Sequence, residues 1–108
     1  MDSGAQAGRE RLLIGLRLRD IRAQLNFSLD AFALLLHLSA SHLCNLERGH
    51  RLPSAELLIR LGRDFDVNLD YLLLGRADGP QGRLHFRTDA ELLAALKEAP
   101  QRRHWRCV

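Results

Sequence analysis

The sequence predicts an all-α fold: five short helices packed as one bundle over residues 9–75, followed by a C-terminal extension over residues 76–108. Three observations lead there. Leucine dominates an apolar fraction of 46%, and aromatic residues make up only 6%, a balance that suits packed helices better than a sheet. Apolar residues recur at helical spacing near the N-terminus. Four helix-capping signals then follow at Ser28, Ser39, Ser54 and Asn68, so the middle of the chain is several short helices rather than one long one. None of that length is stable alone in water, so they must pack together.

The first helix is expected from about Arg9 to Leu25, after a small, polar, flexible N-terminus at residues 1–8. Ile14, Leu18, Ile21 and Leu25 draw one stripe along it. Arg11, Arg17, Arg19 and Arg22 take the other faces, and Asn26 is placed to stop the helix in the left-handed conformation. Ser28 caps the second helix, with Phe27 and Phe32 spaced as a hydrophobic staple. Ser39 caps the third, flanked by Leu38 and Leu43. Ser54, after Pro53, opens a fourth through Leu58, Leu61 and Phe65, and Asn68 a fifth between Val67 and Leu72. The leucines at 34–36 read as core.

Past Leu74, Gly75, Gly79, Pro80 and Gly82 mark a loop. Gly82–Arg87 alternates weakly, with Leu84 and Phe86 on one side, which is compatible with a short strand. Thr88 to Glu91 has capping-box spacing and starts a last helix to about Glu98, with Leu92, Leu93, Leu96 and Ala99 on one face. A bundle already closed by Leu72–Leu74 has little core left to offer. Leu84, Phe86, Leu92, Leu93 and Leu96 are therefore assigned to a dimer or partner interface rather than to the chain's own interior. The basic tail, with Trp105 among arginines, reads as a solvated terminus.

Several function classes are excluded by what the chain displays. Sixteen basic against thirteen acidic residues give a net charge of +3, a mild excess compatible with an anionic partner. No apolar stretch suggests a signal peptide or a membrane span, so a cytoplasmic setting without membrane contact is expected. Cys44 and Cys107 form no CxxC pattern and lie far apart, which does not look like a disulfide framework or zinc site. The five histidines show no i,i+4 pair, so no metal and no cofactor is expected. No nucleophile or carboxylate pair stands in a catalytic arrangement and there is no Gly-rich phosphate loop, which argues against an enzyme.

The segment from Ser28 to Gly49, SLDAFALLLHLSASHLCNLERG, carries the functional signal. Two helices meet at the brief break His37–Leu38. Ala33 is small where the second must cross the first, and Phe32, Leu36, Leu38, Leu43 and Leu46 supply the apolar contact. The outward face of the second helix then holds Ala40, Ser41, His42, Cys44, Asn45 and Arg48, short or polar groups not needed for a core. A helix with that face fits the major groove of duplex DNA.

These residues resemble the lambda-repressor-like, Cro-type (XRE-like) helix-turn-helix regulators, and the likeness runs from about Leu12 to Gly75. LERGHRLPS, Leu46–Ser54, looks like that family's exit from the recognition helix and entry to the next. DVNLDYLLLG, Asp66–Gly75, resembles its fifth helix. The resemblance implies base contacts near Ala40, Ser41 and Asn45, with His42 and Cys44 on the same face. It implies phosphate contacts at Ser28, Arg48, His50 and Arg51, and a charged pair between Arg22 and Glu47. An unpaired glutamate beside an apolar core would be costly, so that pair makes physical sense by itself. Two positions depart from the pattern: Leu29 replaces a glutamine that helps hold phosphate, and His37 replaces the turn glycine. The function implied is sequence-specific binding of double-stranded DNA, as a homodimeric repressor on a near-palindromic operator. The alternative is an interaction module that keeps the fold and binds another protein through its C-terminal helix.

Overall fold

Six helices make up the computed structural model, which describes residues 3–76 and 87–98. Helix α1 spans Ser3–Gln24, α2 Leu29–Leu35, α3 Ala40–Glu47, α4 Ala55–Asp64, α5 Leu69–Leu74 and α6 Asp89–Glu98. Among the described residues there is no strand, and no single helix is long and apolar enough to cross a membrane. The expected strand at Gly82–Arg87 falls almost wholly outside the described residues, as do Leu84 and Phe86. Arg87 itself is not in a strand.

Each anticipated cap forms. The side chains of Ser28, Ser39, Ser54 and Asn68 accept hydrogen bonds from the backbone N–H groups of Ala31, His42, Leu57 and Tyr71 at 3.0–3.1 Å. Each bond satisfies one of the donors that a helix start leaves open. Asn26 ends α1 at φ 68°. The staple pair Phe27 and Phe32 stacks with ring centres 5.5 Å apart, and Phe65 meets Phe32 edge-on at 5.3 Å. The core gathers Ile14, Leu18, Ile21, Phe32, Leu36, Leu43, Leu46, Leu57, Leu61, Tyr71 and Leu72.

Three features differ from the sequence expectation. Helix α1 begins at Ser3, so the stretch expected to be flexible is helical from there on. Of the leucines at 34–36 only Leu36 is core; Leu34 is 78% exposed and Leu35 46% exposed. Phe32, Ala33 and Leu36 already fill the inward arc of α2, and a helix turns the next two residues away from it. The third difference concerns α6, which packs on its own chain.

Helix α1 is buried on two sides. Beside the expected stripe and further round the helix, Arg17, Leu13 and Leu16 are also buried. Arg17 donates to the Leu72 carbonyl at 3.1 Å and to Asp89 at 2.8 Å, tying α1 to α5 and to the start of α6. The Tyr71 hydroxyl donates to the Arg87 carbonyl and accepts from its N–H, both at 3.2 Å. Thr88 and Glu91 form the reciprocal capping box that starts α6. Leu92 is consequently buried inside the chain and is not available to a partner, while Leu93 and Leu96 are half-buried. The second face of α1 supplies the core surface that the sequence argument took to be exhausted.

Candidate nucleic-acid interface

The break between α2 and α3 is built from main-chain bonds. The His37 N–H donates to the Leu34 carbonyl at 3.2 Å, and the Leu38 N–H to the Ala33 carbonyl at 2.8 Å. This paired closure needs a left-handed residue after the helix, and His37 takes that role at φ 61°. Ala33, buried and small, lies at the corner, and α3 leaves α2 at 106°. The same closure ends α3: Gly49 at φ 82° donates to Leu46, and His50 donates to Asn45 at 2.9 Å. Histidine in the left-handed region is strained relative to glycine. His37→Gly is therefore expected to raise stability by about 0.5–1 kcal/mol in a denaturant melt, and an unchanged or lower midpoint would show that the His37 side chain supports the turn.

Helix α3 is seated on α1 by backbone contact. A Cβ placed at Gly15 would lie 2.5 Å from the carbonyl oxygens of Leu46 and Glu47, and one at Gly49 would lie 2.7 Å from the Leu12 Cα. No side chain fits between the two helices at either point. Sequence reasoning passed over Gly15; a glycine inside an apolar helical stripe, between Ile14 and Leu16, is the signal that could have found it.

One ion pair closes this joint. Arg22 donates through Nε and Nη2 to the two Glu47 carboxylate oxygens at 2.7 and 3.0 Å, and through Nη1 to the Phe27 carbonyl at 3.0 Å. Both side chains are buried. Burial pushes the Glu47 carboxyl above its ordinary pKa range, against the opposing pull of Arg22 and Arg19. Glu47 is paired with Arg22, and the other fixed charges between Ser28 and Ser54 are Arg48 and Arg51 against Asp30, a positive balance.

The remaining surface of α3 is the candidate reading face. Ser41 and Arg48 are exposed and Asn45 half-buried, and their spacing of four and three residues makes one stripe. Ala40 and His42 flank it, half-buried. Cys44 does not belong to it: it is 1% exposed, within the core side of α3, and is disulfide-bonded, which the spacing of the cysteines did not foretell. The close seat on α1 widens the buried arc of α3 to include position 44. Around the stripe, His50 and Arg51 are exposed on the segment after Gly49, and Ser28 is exposed at the start of α2. The Ser28 Oγ accepts its capping bond and keeps a hydroxyl proton to donate.

Comparison with known proteins agrees with this geometry. A family model described as Helix-turn-helix matches residues 18–72, just over half of the chain. No curated protein and no solved structure matches it.

Proposed function

The chain belongs to the lambda-repressor-like, XRE-like helix-turn-helix family of DNA-binding regulators, and from that premise we propose that it is a cytoplasmic, sequence-specific repressor acting as a homodimer on a near-palindromic operator. The observation that carries this is the outward stripe Ser41–Asn45–Arg48 on a helix set steeply to its neighbour and held by main-chain contacts. In this reading α3 enters the major groove. Asn45 presents a donor and an acceptor together and pairs with an adenine edge; Ala40 meets a thymine methyl; Ser41 bonds to either groove partner. Ser28, Arg48, His50 and Arg51 hold phosphates on either side and set the register.

Selection from random duplex DNA by the purified chain tests this reading. Two half-sites with centres about ten base pairs apart, or a multiple of that, are the expected result. Asn45→Ala should relax one base position at a cost of about 1–3 kcal/mol, while Arg51→Ala should weaken all sequences alike and reduce the salt slope by about one. If the folded chain enriches no sequence even at low salt, the operator reading fails and an interaction module on the same fold takes its place.

A further inference from the structure

The outer stripe of α4 is open to solvent and has an ordered charge pattern. Ala55, Glu56, Ile59 and Arg63 share one exposed face, and Leu52, just ahead of the helix, is also open. Helix α4 contributes to the core through Leu57 and Leu61 instead, so Ile59, 57% exposed, has no role there. Its neighbours on the stripe are acidic on the N-terminal side and basic on the C-terminal side. A stripe of that order around an apolar centre is complementary to itself after a half-turn.

From this we infer that α4 is the seam of the homodimer, and the inference rests on the reading of the chain as a dimeric regulator. Two copies pack α4 antiparallel about a two-fold axis at Ile59, apolar residue on apolar residue. Ala55 then faces Arg63 of the partner subunit. Glu56 lies one residue further along, roughly 1.5 Å of rise, within reach of that guanidinium. Glu56 uses Oε1 on Arg60 at 2.9 Å, and Arg63 sits 3.4 Å from Asp64. Exposed pairs of this kind are weak, so they do not withhold either charge from a second copy. The other open apolar pair, Leu34 and Leu35, lies on a helix with an acidic residue in its first turn and no basic residue in its last. It lacks this self-complementarity.

Sedimentation equilibrium of the full chain without DNA tests the seam separately from DNA binding. A dimer is expected, and Ile59→Glu should raise its dissociation constant about 100-fold while circular dichroism stays unchanged, since the site is exposed. Glu56→Arg and Arg63→Glu should each weaken self-association about tenfold by setting like charges face to face. Mixed together, these two variants should form a heterodimer of wild-type strength, because both cross-pairs are then opposite in sign. A monomeric wild-type chain at about 100 μM, a dimer indifferent to Ile59→Glu, or a mixture that does not recover association would each overturn the seam. A seam that fails while two half-sites are still selected places the dimer contact elsewhere. A seam that holds without any DNA selection removes the operator reading instead.

Discussion

Arg22→Met is expected to destabilise the chain by about 3–5 kcal/mol at neutral pH, because it leaves the Glu47 carboxylate buried with its main partner gone. A domain of this size has a total stability of about 5–15 kcal/mol, so the variant should melt some 15 °C lower or more. The loss comes from stranding a charge, which predicts how it can be reversed. Adding Glu47→Leu removes the stranded group and fills the space with apolar atoms. The double variant should return to within about 1–2 kcal/mol of wild type, the residue being the Phe27 carbonyl that loses its Arg22 donor. A double variant as unstable as the single one would mean that Arg22 acts through its packing and not through Glu47.

The same pair has a pH signature. Because the Glu47 carboxyl titrates above its ordinary range in the fold, the native state keeps a proton, in the acid window between the ordinary and the raised value, that the unfolded chain has already released; above that window Glu47 is the carboxylate that Arg22 pairs. That contribution to stability is full below the ordinary carboxylate range and is lost as pH rises through the raised value. Arg22→Met removes the group that pulls the value down, so its destabilisation should shrink on acidification, when Glu47 takes up a proton. Urea midpoints of wild type and variant across the acid range measure this. Curves that run parallel would separate the damage from the charge on Glu47.

Gly15→Ala should be the second severe change, and of the opposite physical kind. A methyl group at this position meets two backbone carbonyl oxygens at 2.5 Å, and main chain cannot rotate away as a flexible side chain can. Alanine gains about 1 kcal/mol of helix propensity over glycine. Against this, overpacking a close helix joint costs about 1–3 kcal/mol, at the upper end when backbone must move. The expected outcome is a net loss of stability near 2 kcal/mol, with α3 displaced from α1. Gly15→Val should be worse, adding β-branching to the clash. The informative measurement pairs thermal unfolding with DNA affinity in conditions where the variant is folded. A displaced reading helix should lose affinity beyond what the folded fraction explains. Unchanged stability in Gly15→Ala would mean that the joint is looser than the contact distances state.

What the sequence revealed here followed from the range of the interactions involved. Serine and asparagine caps act on backbone three residues away, so four helix starts could be read residue by residue, and the Phe27–Phe32 staple with them. The left-handed stops at Asn26 and His37 are local in the same sense. Arg17 reads as a surface charge in the sequence because its partners, Leu72 and Asp89, lie 55 and 72 residues away. The burial of Leu92 and the two-sided burial of α1 depend on that same distant docking. Cys44 reads as outward in the sequence because helical spacing alone cannot say how close a second helix comes, and it is Gly15 that allows that approach. The glutamate at 47 was legible for a different reason: a charge inside an apolar pattern demands a partner, and Arg22 was the matching cation.

The seat of α3 on α1 has a further consequence. Between Gly15 and the carbonyls of Leu46 and Glu47 there is no rotatable side-chain bond, so the pose of the reading helix is not averaged over rotamers. Little conformational freedom of that helix remains to be frozen when a ligand is engaged, and the entropy lost on binding falls mainly on the exposed side chains. Tolerance to change becomes uneven in the same way. Core leucines can exchange for apolar residues of similar volume, and the outward stripe can be rewritten to read another site. The two glycines at the joint accept no larger residue without a shift of main chain.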